Sequence, residues 1–173
     1  MDPDAKPRCD APALPAGRRK ILVIGFGNPG RRDDGLGPAL AARLEELALP
    51  GVTVDSDYQL MIEHAAMVAE HDIVVFADAA ADAGEEPFYF RPVDPAPGTG
   101  ISSHSVSPAG VLHLAQSCFN KFPRGYLLGL RGADLSSFAE GLTPTAGASL
   151  AAALAFIRPW LQQAQAGETL RGS

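Results

Sequence analysis

Residues 21–27 read ILVIGFG, and they run on into residues 28–37, NPGRRDDGLG. The apolar run ends abruptly in glycine, with no alternation of polar residues. This is how a strand buried on both faces of a parallel sheet reads. Downstream, Leu36, Leu40, Leu44 and Leu47 recur at spacings of three and four, so an amphipathic helix runs from Gly35 to Leu49. Pro50-Gly51 stops it. Strand, glycine loop and helix form the first unit of an α/β sheet.

Further strands and helices alternate after it, with no internal repeat. Residues 52–54 (VTV) give a short second strand, and 59–70 a second helix on Leu60, Ile62, Ala65, Ala66 and Val68. IVVFAD at 73–78 is another buried strand. PFYFRPV at 87–93 alternates and holds two prolines, which suits a sheet edge. Residues 94–106 form a long Pro/Gly/Ser loop, and loops of that length in small domains are usually functional. Ser107-Pro108 caps a helix to about Asn120; GYLLGLRG at 125–132 is a strand; Thr143-Pro144 caps a last helix to about Gln163. The expected fold class is α/β, a three-layer sandwich with a mostly parallel, twisted five-stranded sheet and helices on both faces. One domain is expected over 19–165, with a disordered tail over 1–18 and a flexible one over 166–173.

Composition narrows the partners. A formal charge of −6 argues against nucleic acid, which needs a basic face. No apolar stretch is long enough to span a bilayer, and the N-terminus lacks a secretory core, so a cytoplasmic monomer is expected. Cys9 and Cys118 make no C-x-x-C pair. They read as a tail thiol and a buried helix thiol in a reducing compartment.

Sites in open parallel sheets form outside the carboxyl ends of the strands. The first glycine loop brings Asp33 and Asp34 to that edge, and Asp78 closes the strand 73–78 there. A lone aspartate ending an apolar strand is costly unless it is hydrogen-bonded, metal-bound or open to a cleft. His104, in the long loop, can return to the same edge. His64 and His71 lie on or just after the second helix, and His113 lies mid-helix, where structural roles suffice. Asp33 is assigned to capping the helix that begins near Gly35, which leaves Asp34 for the site. Two carboxylates and an imidazole make a ligand set suited to Ni, Zn, Cu or Fe. Without thiols and with three protein ligands, an open site is expected rather than a closed structural zinc site.

The loop Gly25-Phe26-Gly27-Asn28-Pro29-Gly30 matches G-x-G-x-x-G literally, and Asp55 or Asp57 could serve as the ribose acid. Yet Pro29 removes an N–H, and Asp33 and Asp34 place negative charge where a pyrophosphate would sit. GFGNPG also resembles the opening of bacterial peptidyl-tRNA hydrolase. That family continues with a His-Asn pair, and this chain has Asp33-Asp34-Gly35 and no basic surface.

The fuller resemblance is to the [NiFe]-hydrogenase maturation endopeptidases. It is carried by ILVIGFGN, DDGLG, QLMIE, VVFADAA and SSHSVSP, in that family's order and approximate spacing, over residues 20 to about 160. RG at 131–132 and GLTPT before the final helix also look familiar. The resemblance implies that Asp34, Asp78 and His104 bind nickel. Some members carry Glu at the position of Asp34. It implies a peptide-bond cleavage that removes a C-terminal extension from the hydrogenase large-subunit precursor after nickel insertion, with nickel carried by that substrate and nickel-insertion accessory proteins as further partners. Asp34 and Asp78 are the acids for catalysis. Gly27, Asn28, Gln59 and Glu63 are candidates for substrate contact, and Asp57-Tyr58-Gln59-Leu60 resembles the branch with a Gln-Leu-x-x-Glu pattern. The alternative is a non-catalytic nickel-binding or chaperone-like module on the same fold.

Overall fold

The computed structural model describes residues 17–98 and 105–167. Five strands, β1 (Ile21–Phe26), β2 (Val52–Asp57), β3 (Ile73–Ala80), β4 (Phe88–Val93) and β5 (Arg124–Arg131), form one sheet in the order β2-β1-β3-β5-β4. All neighbours are parallel except β4, which pairs antiparallel with β5 at the edge. Pro92 lies on that edge strand, where a missing N–H costs no ladder bond.

Strand alternation sorts the core into two layers. Ile21, Val23, Ile73, Val75, Leu128 and Leu130 point to one face. There they bury α1 (Leu36–Glu46) through Leu36, Leu40 and Leu44, and α4 (Pro144–Gln165) through Ala153, Ile157 and Leu161. Leu22, Ile24, Val74 and Phe76 point the other way, against Ala65 and Val68 of α2 (His64–Ala69) and Val111, Leu112 and Ala115 of α3 (Pro108–Phe119). Residues 21–25 of β1 and 73–77 of β3 are buried on both faces, which is why these stretches carry no alternation.

Caps stand where the sequence puts them. Ser107 Oγ accepts from the Gly110 N–H (3.1 Å), and Thr143 Oγ1 from the Ala146 N–H (3.2 Å), each with proline in the first turn. Asn120 ends α3 in the left-handed conformation (φ 52°).

Three expectations need correction. The second helix starts at His64, not Gln59. The Leu60 carbonyl accepts from the Val106 N–H (3.0 Å), so it is not available to start a helix there, and residues 61–66 make tight bonds three residues apart. Strand β2 runs to Asp57 and β3 to Ala80, because β1 and β5 supply ladder partners that far. Cys118 is exposed on α3 rather than buried. Cys9, most of the N-terminal segment and all but Ala166 and Gly167 of the C-terminal one lie outside the described residues. Among the described residues, no helix is long and apolar enough to cross a membrane.

Candidate active site

The first βα connection explains the glycines. A Cβ on Gly25 would stand 2.1 Å from the Gly37 carbonyl oxygen. One on Gly37 would stand 2.3 Å from the Phe26 oxygen and 2.5 Å from the Ala77 oxygen. Helix α1 therefore enters hard against the carboxyl ends of β1 and β3, closer than any side chain allows. Gly27 adopts φ +138°, with the Asp34 carbonyl 2.0 Å from where its Cβ would be. These glycines serve helix–strand packing. The helix begins at Leu36, after a 3-10 turn (Arg32–Gly35) that carries two aspartates. That arrangement leaves no open helix N-terminus for a pyrophosphate.

Asp34 is half-buried in this turn, and its Oδ2 accepts from the Asn28 N–H (3.0 Å). Gly30 N–H donates to Asn28 Oδ1 (2.9 Å). Asn28 thus shapes the loop with its side chain and presents its N–H to the acid. Asp78 lies two residues short of the end of β3 and accepts the Ala79 N–H on Oδ1 (2.8 Å). Its carboxyl is pushed up to about 6. Burial is the main cause; the Ala79 N–H pulls the other way, and the negative charge of Asp34 adds to the rise. The charge of Asp34 therefore reaches Asp78 at the carboxyl edge of the sheet.

Asp33 does not cap α1. Gly35 holds the N-cap position, with no side-chain cap bond. The Asp33 side chain is fully buried and turned toward the other end of the chain. Its Oδ2 accepts from the N–H groups of Ala133 (2.8 Å) and Asp134 (2.9 Å) and from Thr143 Oγ1 (2.7 Å). Its Oδ1 accepts the Thr143 N–H (2.8 Å). Burial pushes this carboxyl up, but the hydrogen bonds outweigh it and hold the acid below its ordinary value. Arg32 N–H donates to the Ala139 carbonyl (2.9 Å), and Arg32 faces Asp134 at 3.7 Å. The loop after β5 is thereby strapped to the loop that carries Asp34. The GLTPT segment has its meaning here, in Thr143.

His104 lies outside the described residues. Among the described residues, no group of three or more His, Cys, Asp or Glu is disposed to hold a metal ion. Gln59 sits on an exposed bend after β2, and Glu63 is exposed just before α2. Gly27 is buried under α1. Its N–H donates to the Asp57 carbonyl (3.1 Å), so the end of β2 is tied to the glycine loop. His64 is buried, with Nδ1 accepting the Met61 N–H (2.9 Å) and Nε2 at 3.6 Å from Asp55 and 3.8 Å from Asp57. His71 bonds the Met67 carbonyl and Thr53. Asp55 and Asp57 thus face a histidine.

Tyr89 is the residue the sequence did not flag. Asp78 on β3 and Tyr89 on β4 both pair with Gly129 on β5, so the three share one sheet face. The Tyr89 ring lies where a side chain at 129 would stand, with Cζ 2.3 Å and Oη 2.6 Å from that Cβ position. The only available signal was a glycine inside an apolar strand.

Sheet order and layers define the class, a three-layer α/β sandwich, with Asp34 and Asp78 toward the carboxyl edge of the sheet. No family model and no curated protein matches the chain. Solved structures do. The [NiFe] hydrogenase maturation protease HycI of Thermococcus kodakarensis is 25% identical, with 86% of this chain and 96% of that one covered at a TM-score of 0.66. The hydrogenase maturating endopeptidase HybD of Escherichia coli is 22% identical, over 84% and 93%, at 0.63. An endopeptidase from Escherichia coli is 24% identical, over 85% and 94%, at 0.65. In fold and in the order of its motifs, the chain is similar to these [NiFe]-hydrogenase maturation proteases.

Proposed function

We propose that this chain is an endopeptidase that removes the C-terminal extension of a [NiFe]-hydrogenase large-subunit precursor once nickel is in place. The observation that carries the reading is the pair Asp34 and Asp78, set together at the carboxyl edge of a maturation-protease fold. Nickel belongs to the substrate, which presents it to Asp34, Asp78 and His104. Two carboxylates and an imidazole suit that ion, and the mutual repulsion of Asp34 and Asp78 is relieved by a cation between them.

Cleavage consumes one water. Asp78, with Asp34 beside it, takes a proton from the water as its oxygen attacks the scissile carbonyl carbon. The carbonyl oxygen takes the electron pair. Collapse breaks the C–N bond, and the proton passes from the carboxyl to the leaving amine. The substrate's nickel supplies positive charge near the carboxylates and licenses docking. Asn28 and the Gly27 turn hold Asp34 in place, while Gln59 and Glu63 offer exposed polar groups at the rim for the precursor chain.

The test is cleavage of purified precursor followed by mass spectrometry. Nickel-loaded precursor should lose its C-terminal peptide, and nickel-free precursor should stay intact. Asp34→Ala, Asp78→Ala and His104→Ala should fold and leave the precursor uncut. Full processing by Asp78→Ala would sink the site. Tight binding of the precursor without any mass loss would favour the non-catalytic nickel-binding module.

A further inference from the structure

Strand β5 carries glycine at 125 and 129, and each is filled from elsewhere. Leu112 of α3 occupies the space over Gly125, and Tyr89 occupies that over Gly129. The first is ordinary core packing. The second is not, because Tyr89 is only half-buried, shares its register position with Asp78 across Gly129, and feels the charge of Asp78. Neighbouring strands lie about 4.8 Å apart, so residues on β3 and β4 in register with Gly129 are separated by roughly twice that. A tyrosine at 89 crosses most of the gap, and its hydroxyl arrives over β5, facing the strand that holds Asp78.

We propose that Tyr89 is a further catalytic residue, whose phenol O–H donates to the carbonyl oxygen of the peptide bond presented to Asp78. The proposal rests on the endopeptidase reading above and assigns the site an oxyanion donor. As water attacks, negative charge develops on the carbonyl oxygen. A neutral donor already fixed near that position stabilises the charge without reorganising. The phenol keeps its proton throughout; no bond to it forms or breaks. Its chemistry is right for this. Burial raises the Tyr89 pKa, the charges of Asp82 and Asp78 add to the rise, and Arg91, stacked 4.9 Å over the ring, opposes it. The hydroxyl is therefore a donor at neutral pH. Gly129 is what permits the pose, since any Cβ there would collide with the ring.

The experiment compares wild type, Tyr89→Phe and Asp78→Asn on nickel-loaded large-subunit precursor, in single turnovers with enzyme in excess. Tyr89→Phe removes one oxygen and keeps the ring in its slot. Its maximal cleavage rate should fall roughly 100-fold, with the half-saturating enzyme concentration and the melting temperature unchanged. An unchanged maximal rate, or a loss confined to half-saturation, overturns the proposal. Inactive Asp78→Asn together with fully active Tyr89→Phe removes the tyrosine alone. Wild-type rates in Asp78→Asn remove the site and the tyrosine with it. Gly129→Ala is the second variant: it keeps the hydroxyl but displaces the ring, and it should show the same fall in rate.

Discussion

Substituting Asp33 tests how the two ends of the domain are joined. The side chain is fully buried and accepts three N–H groups and one hydroxyl, all at 2.7–2.9 Å. In Asp33→Ala the N–H groups of Ala133, Asp134 and Thr143 lose their acceptor together. Leaving a buried donor unsatisfied costs about 1–3 kcal/mol. These donors lie in a partly exposed loop, so water recovers some of the loss. The net expectation is about 3–5 kcal/mol, in line with removing one partner of a buried charged group. That is a large share of the ~5–15 kcal/mol that holds a domain of this size. Urea unfolding gives the number from the shift in midpoint at unchanged slope. Native-state hydrogen exchange gives the location: the amides of Ala133, Asp134 and Thr143 should lose protection well before those of β1 and β3. The pH dependence follows from the sign of the shift. The folded-state pKa lies below the ordinary value of 3.8, so the carboxylate's stabilisation is fully present above that pH. It is lost as pH falls through the lower, folded value. The gap between wild type and Asp33→Asn should therefore be constant from pH 5 upward and close in acid. A loss under ~1 kcal/mol, or unfolding curves that stay parallel down to pH 2, would refute the strap.

Three further outcomes follow from the site and its scaffold. Asp78→Asn should raise the melting temperature at pH 8, because ionising a carboxyl whose folded pKa is about 6 opposes folding above pH 3.8; by pH 4 thermal melts of the two proteins should coincide. Gly37→Ala should lose several kcal/mol or fail to fold, since its Cβ would fall 2.3 Å and 2.5 Å from two backbone oxygens; circular dichroism and solubility report this, and a native-like melt would contradict the close entry of α1. Thr143→Val should cost about 1–3 kcal/mol by urea titration, as it removes both a helix cap and a hydroxyl donor to Asp33, whereas Ser107→Ala, which loses only the Gly110 cap bond, should cost about 1.

Much of the fold was legible along the chain because the physics behind it is local. ILVIGF and IVVFAD are strands buried on both sides, and they read as unbroken apolar runs. Ser107-Pro108 and Thr143-Pro144 satisfy N–H groups within their own first turns, so the helix starts can be read without knowing the fold. The prolines of 87–93 marked an edge, since a missing N–H is tolerated only there. That Asp34 and Asp78 lie toward the carboxyl edge was legible from the strand ends alone.

What the tertiary structure decided is where non-local partners compete for the same groups. Asp33 and Asp34 are adjacent carboxylates with the same local propensity to cap a helix. Only the arrival of Ala133, Asp134 and Thr143, a hundred or more residues later, turns one inward as a strap and leaves the other at the edge. Leu60 looks helical until Val106 claims its carbonyl. Tyr89 and Asp78 become neighbours because β5 inserts between β3 and β4 with a glycine at their shared register. Sequence period fixes which face a residue takes. Which residues meet across the sheet depends on strand order, and strand order is set by long-range burial that no local window contains.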